Sequence, residues 1–397
     1  MALVKFEELQ FMRRHGELIA RLYGMFEIPI PKNELKRLKL KDVKDGGLDV
    51  DITDPERKVL FLVSKNIGQL KNRMTGNFAT YIHEHSNIPL LGNISFGVVD
   101  RGSTLLEIKP ITSCLLNCIY CSVGEGTSSR MHDYVVQESY LTKAIEEVVK
   151  FKDTPGIELH INCQGEPLLY SELPRLISNC KKIANVETIS MNTNGVLLNK
   201  EKIKELHLAG LSRFNISFNA VDEKIASKMA GSGYPVKRII EMMKYIRERR
   251  KMPLMIAPVL VPGFNETEIP KLIKLAKELG ASIGIQNFLE YKHGKRPAKQ
   301  WPWSKFYSKL KAWEKEYEIK LKFVSKDFNI REAPQFKKPF HVNQTVKGEI
   351  ICPGRYYDEQ IVALEGRAIT VITKKTKGNV KFKILRTKHN IFLGKEN

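Results

Sequence analysis

From about Gly97 onward, hydrophobic and polar positions fall into a regular alternation. STLLEIKP, IELHINC, VETISMN, SRFNISF, LMIAPVLV and SIGIQNFL are short β-rich runs, most of them separated by stretches of helical periodicity. Several helix ends are visible. NKEKIKELHLAG runs from an Asn199 cap to Gly210, and ETEIPKLIKLAKELG stops at Gly280. Six such units predict an α/β core, a parallel β/α-wound sheet curled into part of a barrel, (β/α)6 in kind, with its site at the carboxyl ends of the strands. Residues 1–95 predict an accessory α+β region, with a charged amphipathic helix in MALVKFEELQFMRRHGE (Phe6 to Tyr23) and strand-like runs in LDVDI and KVLFLV. KHGKRPAKQWPW interrupts the alternation and opens a linker over residues 294–337. Beyond Lys338 the helical period is absent. QTVKGEIICPGR, EQIVALEGRAITVI and NVKFKILRTKHNIFLG alternate between Gly and Asn turns, as a small closed β-barrel over residues 338–397 would. The core then spans residues 96–293.

Composition narrows the class. A chain of 397 residues needs no covalent staples, and six cysteines, three of them clustered, read as a reduced intracellular protein whose cluster binds something. The longest charge-free apolar run, near Pro253 to Phe264, is well short of the ~20 residues a membrane span needs. No apolar leader opens the chain, so a cytoplasmic protein without a membrane partner is expected. Lys plus Arg number 65 against 44 Asp plus Glu, a formal charge of +21. Such a surplus attracts polyanions and points to nucleic acid, the alternative being a lysine-rich solvated surface.

The chemistry concentrates in CLLNCIYC. Thiolates at Cys114, Cys118 and Cys121 can bind three corners of one cluster, whereas a structural zinc site usually wants two pairs of ligands, and the second pair is missing. Three ligands to a cubane leave one iron without a protein donor. Cys114-x-x-x-Cys118-x-x-Cys121, directly after the first strand of a β/α-wound region, resembles the signature of the radical S-adenosylmethionine (radical SAM) superfamily. The resemblance covers about Gly97 to Tyr291. It implies a [4Fe-4S] cluster whose open iron chelates S-adenosylmethionine, reductive cleavage of that cofactor to a 5′-deoxyadenosyl radical, and an electron donor such as a ferredoxin or flavodoxin.

The same resemblance assigns roles at later strand ends. Tyr120 matches an aromatic commonly found beside the adenine. Gly165, Glu166 and Pro167 in CQGEPLLY resemble the family's Gly-Glu-Pro turn, where close backbone approach requires Gly and the carboxylate accepts from the methionine ammonium. Asn192 and Asn194 end the third run and Ser217 and Asn219 the fourth, the latter two on one face, which in the family touches cofactor carboxylate and ribose. Gln286 is an inward candidate near the adenine. Taken alone, each of these is an ordinary turn or strand-end residue.

Of the other thiols, Cys180 shares an apolar helix face with Leu173, Leu176 and Ile177 and reads as core. Strand alternation aims Cys163 toward the outer helices, unless a bulge intervenes. Cys352 sits on the first strand of the terminal barrel. In radical SAM enzymes that methylate adenosine carbons, two extra cysteines shuttle the methyl group, and Cys163 with Cys352 is the candidate pair, structural cysteines being the default reading.

The terminal segment is similar to a TRAM domain, an OB-like barrel attached to RNA-modifying enzymes, on its spaced glycines, Gly366-Arg367 and its closing Val-x-x-x-Ile pattern. After Cys352 it carries ten Lys or Arg against four Asp or Glu, and Phe382 and Tyr356 are candidates for base stacking. Methylthiotransferases pair such a barrel with a radical SAM core, but they hold a second cluster on N-terminal cysteines, and here no cysteine precedes Cys114. The expectation is a radical SAM enzyme that modifies structured RNA, transfer RNA ahead of ribosomal RNA, with carbon methylation one route. Modification of a protein or small metabolite, and a non-catalytic metal-containing RNA-binding protein, are the alternatives.

Overall fold

The computed structural model describes residues 2–249 and 251–397. Its centre is an open seven-stranded sheet in which sequence neighbours are spatial neighbours: β1 (Gly97–Asp100), β2 (Leu105–Lys109), β3 (Ile157–Ile161), β4 (Val186–Thr193), β5 (Arg213–Ile216), β6 (Leu254–Ile256) and β7 (Ser282–Ile283). The edge strand β1 runs antiparallel to β2, and every other pairing is parallel. Helices return the chain between consecutive parallel strands, among them Glu138–Lys152, Leu173–Lys181, Lys200–Ala209 and Ile269–Leu279. The expected ends are in place. The Asn199 side chain accepts from Lys202 N, and Gly210 and Gly280 close their helices in the left-handed conformation.

The sheet's two faces differ. Leu106, Ile108, Leu159, Ile161, Ile189, Met191, Phe214 and Ile216 belong to one buried apolar cluster shared with the helices. The alternate positions are Glu107, Lys109, Glu158, His160, Ser190, Asn192, Arg213 and Asn215, which face one another as a bonded polar lining. Ser190 Oγ donates to Glu158 Oε1 at 2.5 Å, Arg213 Nη2 to the same oxygen at 2.5 Å, and Asn215 Nδ2 to Asn192 Oδ1 at 3.0 Å. Because the Ser190 proton is committed to Glu158, the 2.7 Å contact of His160 Nδ1 with Ser190 Oγ makes the imidazole the donor. A parallel sheet covered on both faces ordinarily reads as continuous apolar runs; polar alternation in buried strands marks a polar interior.

The opening of the chain corrects the expected helix. Leu9–Arg14 and Glu17–Leu22 form an antiparallel hairpin, with Met1 outside the described residues. His15 and Gly16 both have positive φ, 50° and 77°, which is the two-residue turn whose twist matches paired strands. Leu9 and Phe11 are buried with Gln10 exposed between them, a period of two that the charged residues mask. KVLFLV is also corrected: it lies in the helix Pro55–Lys65, with Pro55 in the first turn and Val59, Leu62 and Val63 buried at helical spacing. The run Gly47–Val50 is a strand as expected. Ala79–Ile82 then pairs in parallel with Asp133–Val136, joining this region to the segment that follows the cysteines.

Residues 294–337 hold more than a linker. The helix Trp303–Tyr317 buries Phe306, Leu310 and Trp313 against the core. Thr345–Pro353, Glu359–Leu364, Arg367–Ile372, Gly378–Arg386 and Leu393–Glu396 close the terminal barrel. Phe382 is fully buried inside it, because strand alternation turns Lys381 and Lys383 outward; it cannot stack on a base, which corrects that expectation. Among the described residues no helix is long and apolar enough to cross a membrane.

Candidate cluster and cofactor site

The three cysteines lie on the loop after β2, where Thr112–Ser113 and Gln164–Gly165 extend the β2–β3 pairing beyond the strand ends. Buried Leu116 roots the loop in the core. Asn117 N and Ile119 N donate to the carbonyls of Ala230 and Met229 at 2.9 and 3.0 Å, so the end of the helix Glu223–Ala230 fixes the loop's backbone. Lys295 N donates to the Cys121 carbonyl at 2.9 Å and Lys295 Nζ to Asn117 Oδ1 at 2.6 Å. Glu125 N points at Cys121 Sγ at 3.2 Å, and Asn194 Nδ2 lies 3.8 Å from Cys114 Sγ.

All three thiols line one cavity of about 530 Å³ with Tyr120, Gly165, Glu166, Asn192, Asn194, Ser217 and Gln286. Glu166 is 1% exposed and accepts from Thr193 Oγ1 at 2.7 Å, Asn194 N at 2.8 Å and Leu168 N at 3.1 Å. Burial still dominates and pushes its carboxyl up to about 7. A Cβ at Gly165 would lie 2.1 Å from the Ser113 carbonyl oxygen, so only glycine permits this approach. The Tyr120 hydroxyl accepts from Asn219 Nδ2 at 2.6 Å. Asn219 itself is buried and also takes Val259 N at 2.8 Å, so it braces Tyr120 and the turn after β6 and does not line the cavity.

Cys163 is placed differently from the alternation argument. Asn162 through Glu166 all line the cavity, five consecutive residues, because the chain leaves β3 at Ile161 and re-pairs only at Gln164. Cys352 opens on another cavity, with Thr80, Tyr81, His83 and His132, so the candidate pair does not share one. Cys180 is buried in the core.

Sequence reasoning missed Thr193, Glu125, Lys295 and Arg355. The last is 3% exposed on the turn between the first two strands of the terminal barrel. Its Nη1 donates to Asp133 Oδ1 at 2.8 Å and to the His132 carbonyl at 2.5 Å, and its Nη2 forms an ion pair with Glu125 Oε2 on the cysteine loop. Tyr356 OH donates to the Val123 carbonyl at 3.1 Å, and its ring stacks on His293 with centroids 3.8 Å apart. The local signal at Arg355 is a Gly-Arg turn, a dipeptide that recurs at Gly366-Arg367.

The donor set fits an iron-sulfur cluster. Among the described residues no three His, Cys, Asp or Glu side chains converge on a single ion, whereas a cubane takes each thiolate at a separate corner. Burial raises all three thiols, Cys118 to about 11, so the site favours thiolates only when a cation compensates them. Cys114, Cys118 and Cys121 would hold the cluster, and the carboxylate of Glu166 would meet the cofactor's ammonium.

Residues 108–276 match the profile of the Radical SAM superfamily. Over 415 aligned positions the chain is 35% identical to an uncharacterized protein of Methanocaldococcus jannaschii, covering 94% of this chain and 93% of that one. GTP 3′,8-cyclase of Clostridium botulinum is 27% identical over 196 residues, 49% of this chain and 60% of the cyclase. Among solved structures, Streptococcus suis SuiB bound to its precursor peptide SuiA superposes with a TM-score of 0.46 at 15% identity, covering 81% of this chain and 72% of that one. With its three cysteines on one loop, the chain carries a Radical SAM superfamily domain over residues 108–276, and the cofactors of that family are a [4Fe-4S] cluster and S-adenosylmethionine.

Proposed function

We propose that the protein modifies a nucleotide within structured RNA, transfer RNA ahead of ribosomal RNA. In this reading residues 96–293 form a partial (β/α)6 barrel, residues 1–95 are accessory, residues 294–337 connect, and residues 338–397 act as a TRAM-like RNA-gripping barrel. The observation that carries it is the seating of a basic five-stranded barrel directly on the cysteine loop through Arg355 and Tyr356. A polyanion bound there would sit beside the cavity mouth.

The cluster and S-adenosylmethionine, when bound, supply one-electron chemistry for abstracting hydrogen from an unactivated carbon. Glu166 orients the cofactor's ammonium, held in place by Thr193 and Asn194. Asn192, Ser217 and Gln286 face its remaining polar groups, and Tyr120 is braced by Asn219. Cys163 and Cys352 open on different cavities and do not act as a methyl-shuttle pair in this reading. A ferredoxin or flavodoxin in the cytoplasm would deliver the electron. Mass spectrometry of RNA nucleosides from cells lacking the gene tests the reading. One modified nucleoside is expected to disappear; an unchanged profile together with salt-insensitive RNA binding contradicts it.

A further inference from the structure

The cavity continues past the residues assigned to the cofactor. At its far end Glu107, 8% exposed on β2, bridges two cations. Arg101 Nε donates to its Oε1 at 2.5 Å, and Lys109 Nζ approaches its Oε2 at 3.1 Å. Lys109 Nζ also donates to the Asn162 carbonyl at 2.6 Å. An ammonium has three donors, so one is left over, and among the described residues nothing accepts from the Arg101 Nη groups. Two cations against one carboxylate leave a net positive charge. Lys109 is only 4% exposed, so that charge is poorly screened.

The neighbouring strand extension supplies the opposite polarity. Gln164 lines the same cavity, and its Oε1 is buried without a donor among the described residues. A buried unpaired amide oxygen carries an uncompensated desolvation cost, which a ligand N–H or O–H would recover. Nothing in the cofactor assignment uses Arg101, Lys109 or Gln164.

We infer that this end of the cavity is a substrate subsite for a nucleoside phosphate, with the phosphate on Lys109 and Arg101 and a base or sugar donor on Gln164. The choice of phosphate over a carboxylate rests on the RNA reading. Glu107 holds both cations in fixed positions before the ligand arrives, so little ordering is left to binding.

The test uses the full-length chain, reconstituted anaerobically, with S-adenosylmethionine and no reductant, and measures equilibrium binding of the four nucleoside 5′-monophosphates and their nucleosides. At least one monophosphate is expected to bind about ten- to a hundred-fold more tightly than its nucleoside, as for a charge-assisted contact. Lys109→Gln should erase that preference, and Gln164→Leu should weaken nucleotide and nucleoside alike. Should Lys109→Gln fail to fold, Arg101→Gln, at a side chain 36% exposed, reads the same preference. Equal binding of monophosphate and nucleoside, or a preference unmoved in both cation variants, overturns the subsite, as does tighter binding of free amino acids through their carboxylates. A Lys109-dependent phosphate preference in a protein whose loss leaves RNA nucleosides unchanged keeps the subsite and removes only the RNA reading.

Discussion

The two regions that flank the central sheet reach the cysteine loop by opposite means. The N-terminal region shares its hydrophobic core with the sheet: Phe26, Ile28, Leu70 and Ile82 belong to the same buried cluster as Leu106 and Ile161. It is joined further by four backbone-paired residues, Ala79–Ile82 against Asp133–Val136. The terminal barrel sends only Cys352, Ile361 and Ala368 into that cluster among its buried side chains and closes a core of its own around Val362, Ile369, Val371, Val380, Phe382 and Phe392. Much of its polar hold on the loop passes through one turn, with the Pro353 carbonyl on Tyr134 OH, Arg355 on Glu125 and Asp133, and Tyr356 on Val123. Both regions meet at fully buried Asp133, where Asn72 Nδ2 takes Oδ2 at 2.7 Å and Arg355 takes Oδ1. A shared core spreads attachment over many side chains, while a polar turn concentrates it on a few.

Single substitutions should therefore act unequally. The largest effect is expected at Arg355. Arg355→Met leaves Glu125 and Asp133 buried without their cation, and unfolding in urea should show a loss of about 3–5 kcal/mol. Iron content after anaerobic reconstitution should fall too, because Glu125 carries the amide aimed at Cys121. If Arg355→Met matches the wild type in both measurements, the turn is not the point of attachment.

A smaller effect is expected from pH at His132. Its Nε2 meets Thr80 Oγ1 from the N-terminal region at 2.7 Å, and its amide donates to the Arg355 carbonyl at 3.1 Å. Burial lowers the imidazole from 6.5 to about 4. The unfolded chain therefore takes up the proton first as pH falls. The group's contribution is fully present above pH 6.5 and is lost as pH drops toward 4. Relative to His132→Gln, the wild type should lose about 2 kcal/mol between pH 7.5 and 5, measured by urea unfolding at both values. A difference independent of pH would contradict a buried neutral imidazole at this junction.

The smallest effect belongs to the N-terminal side. Asn72→Ala removes donors to Ser113 Oγ and Asp133 Oδ2, yet the shared core and the backbone pairing remain. A loss of about 1.5 kcal/mol is expected in the same urea experiment, with iron content retained. A loss larger than that of Arg355→Met would reverse the contrast between the regions.

The same contrast explains what the sequence made legible. Local signals carried the core: each run from STLLEIKP to SIGIQNFL contains a strand, and Asn199, Gly210 and Gly280 end helices where their chemistry allows. Errors arose where charge hid a period. The hairpin around His15-Gly16 alternates every second residue, but Arg13, Arg14 and Glu17 gave it the look of a charged helix. Trp303–Tyr317 was lost to its Pro- and Lys-rich lead-in, although Phe306, Leu310 and Trp313 fall at helical spacing. Cys163 was misplaced because its direction depends on where β3 breaks, which is decided by pairing with Thr112–Ser113 some 50 residues away. The meeting of Arg355 with Glu125 is longer in range still, and no local pattern announces it.

One measurement bears most directly on the site itself. Anaerobically reconstituted protein, given dithionite and S-adenosylmethionine, should release methionine and 5′-deoxyadenosine, and Cys118→Ala should abolish both products together with the iron. Wild-type protein that holds a full complement of iron and sulfide yet leaves S-adenosylmethionine intact would contradict the assignment of this cavity.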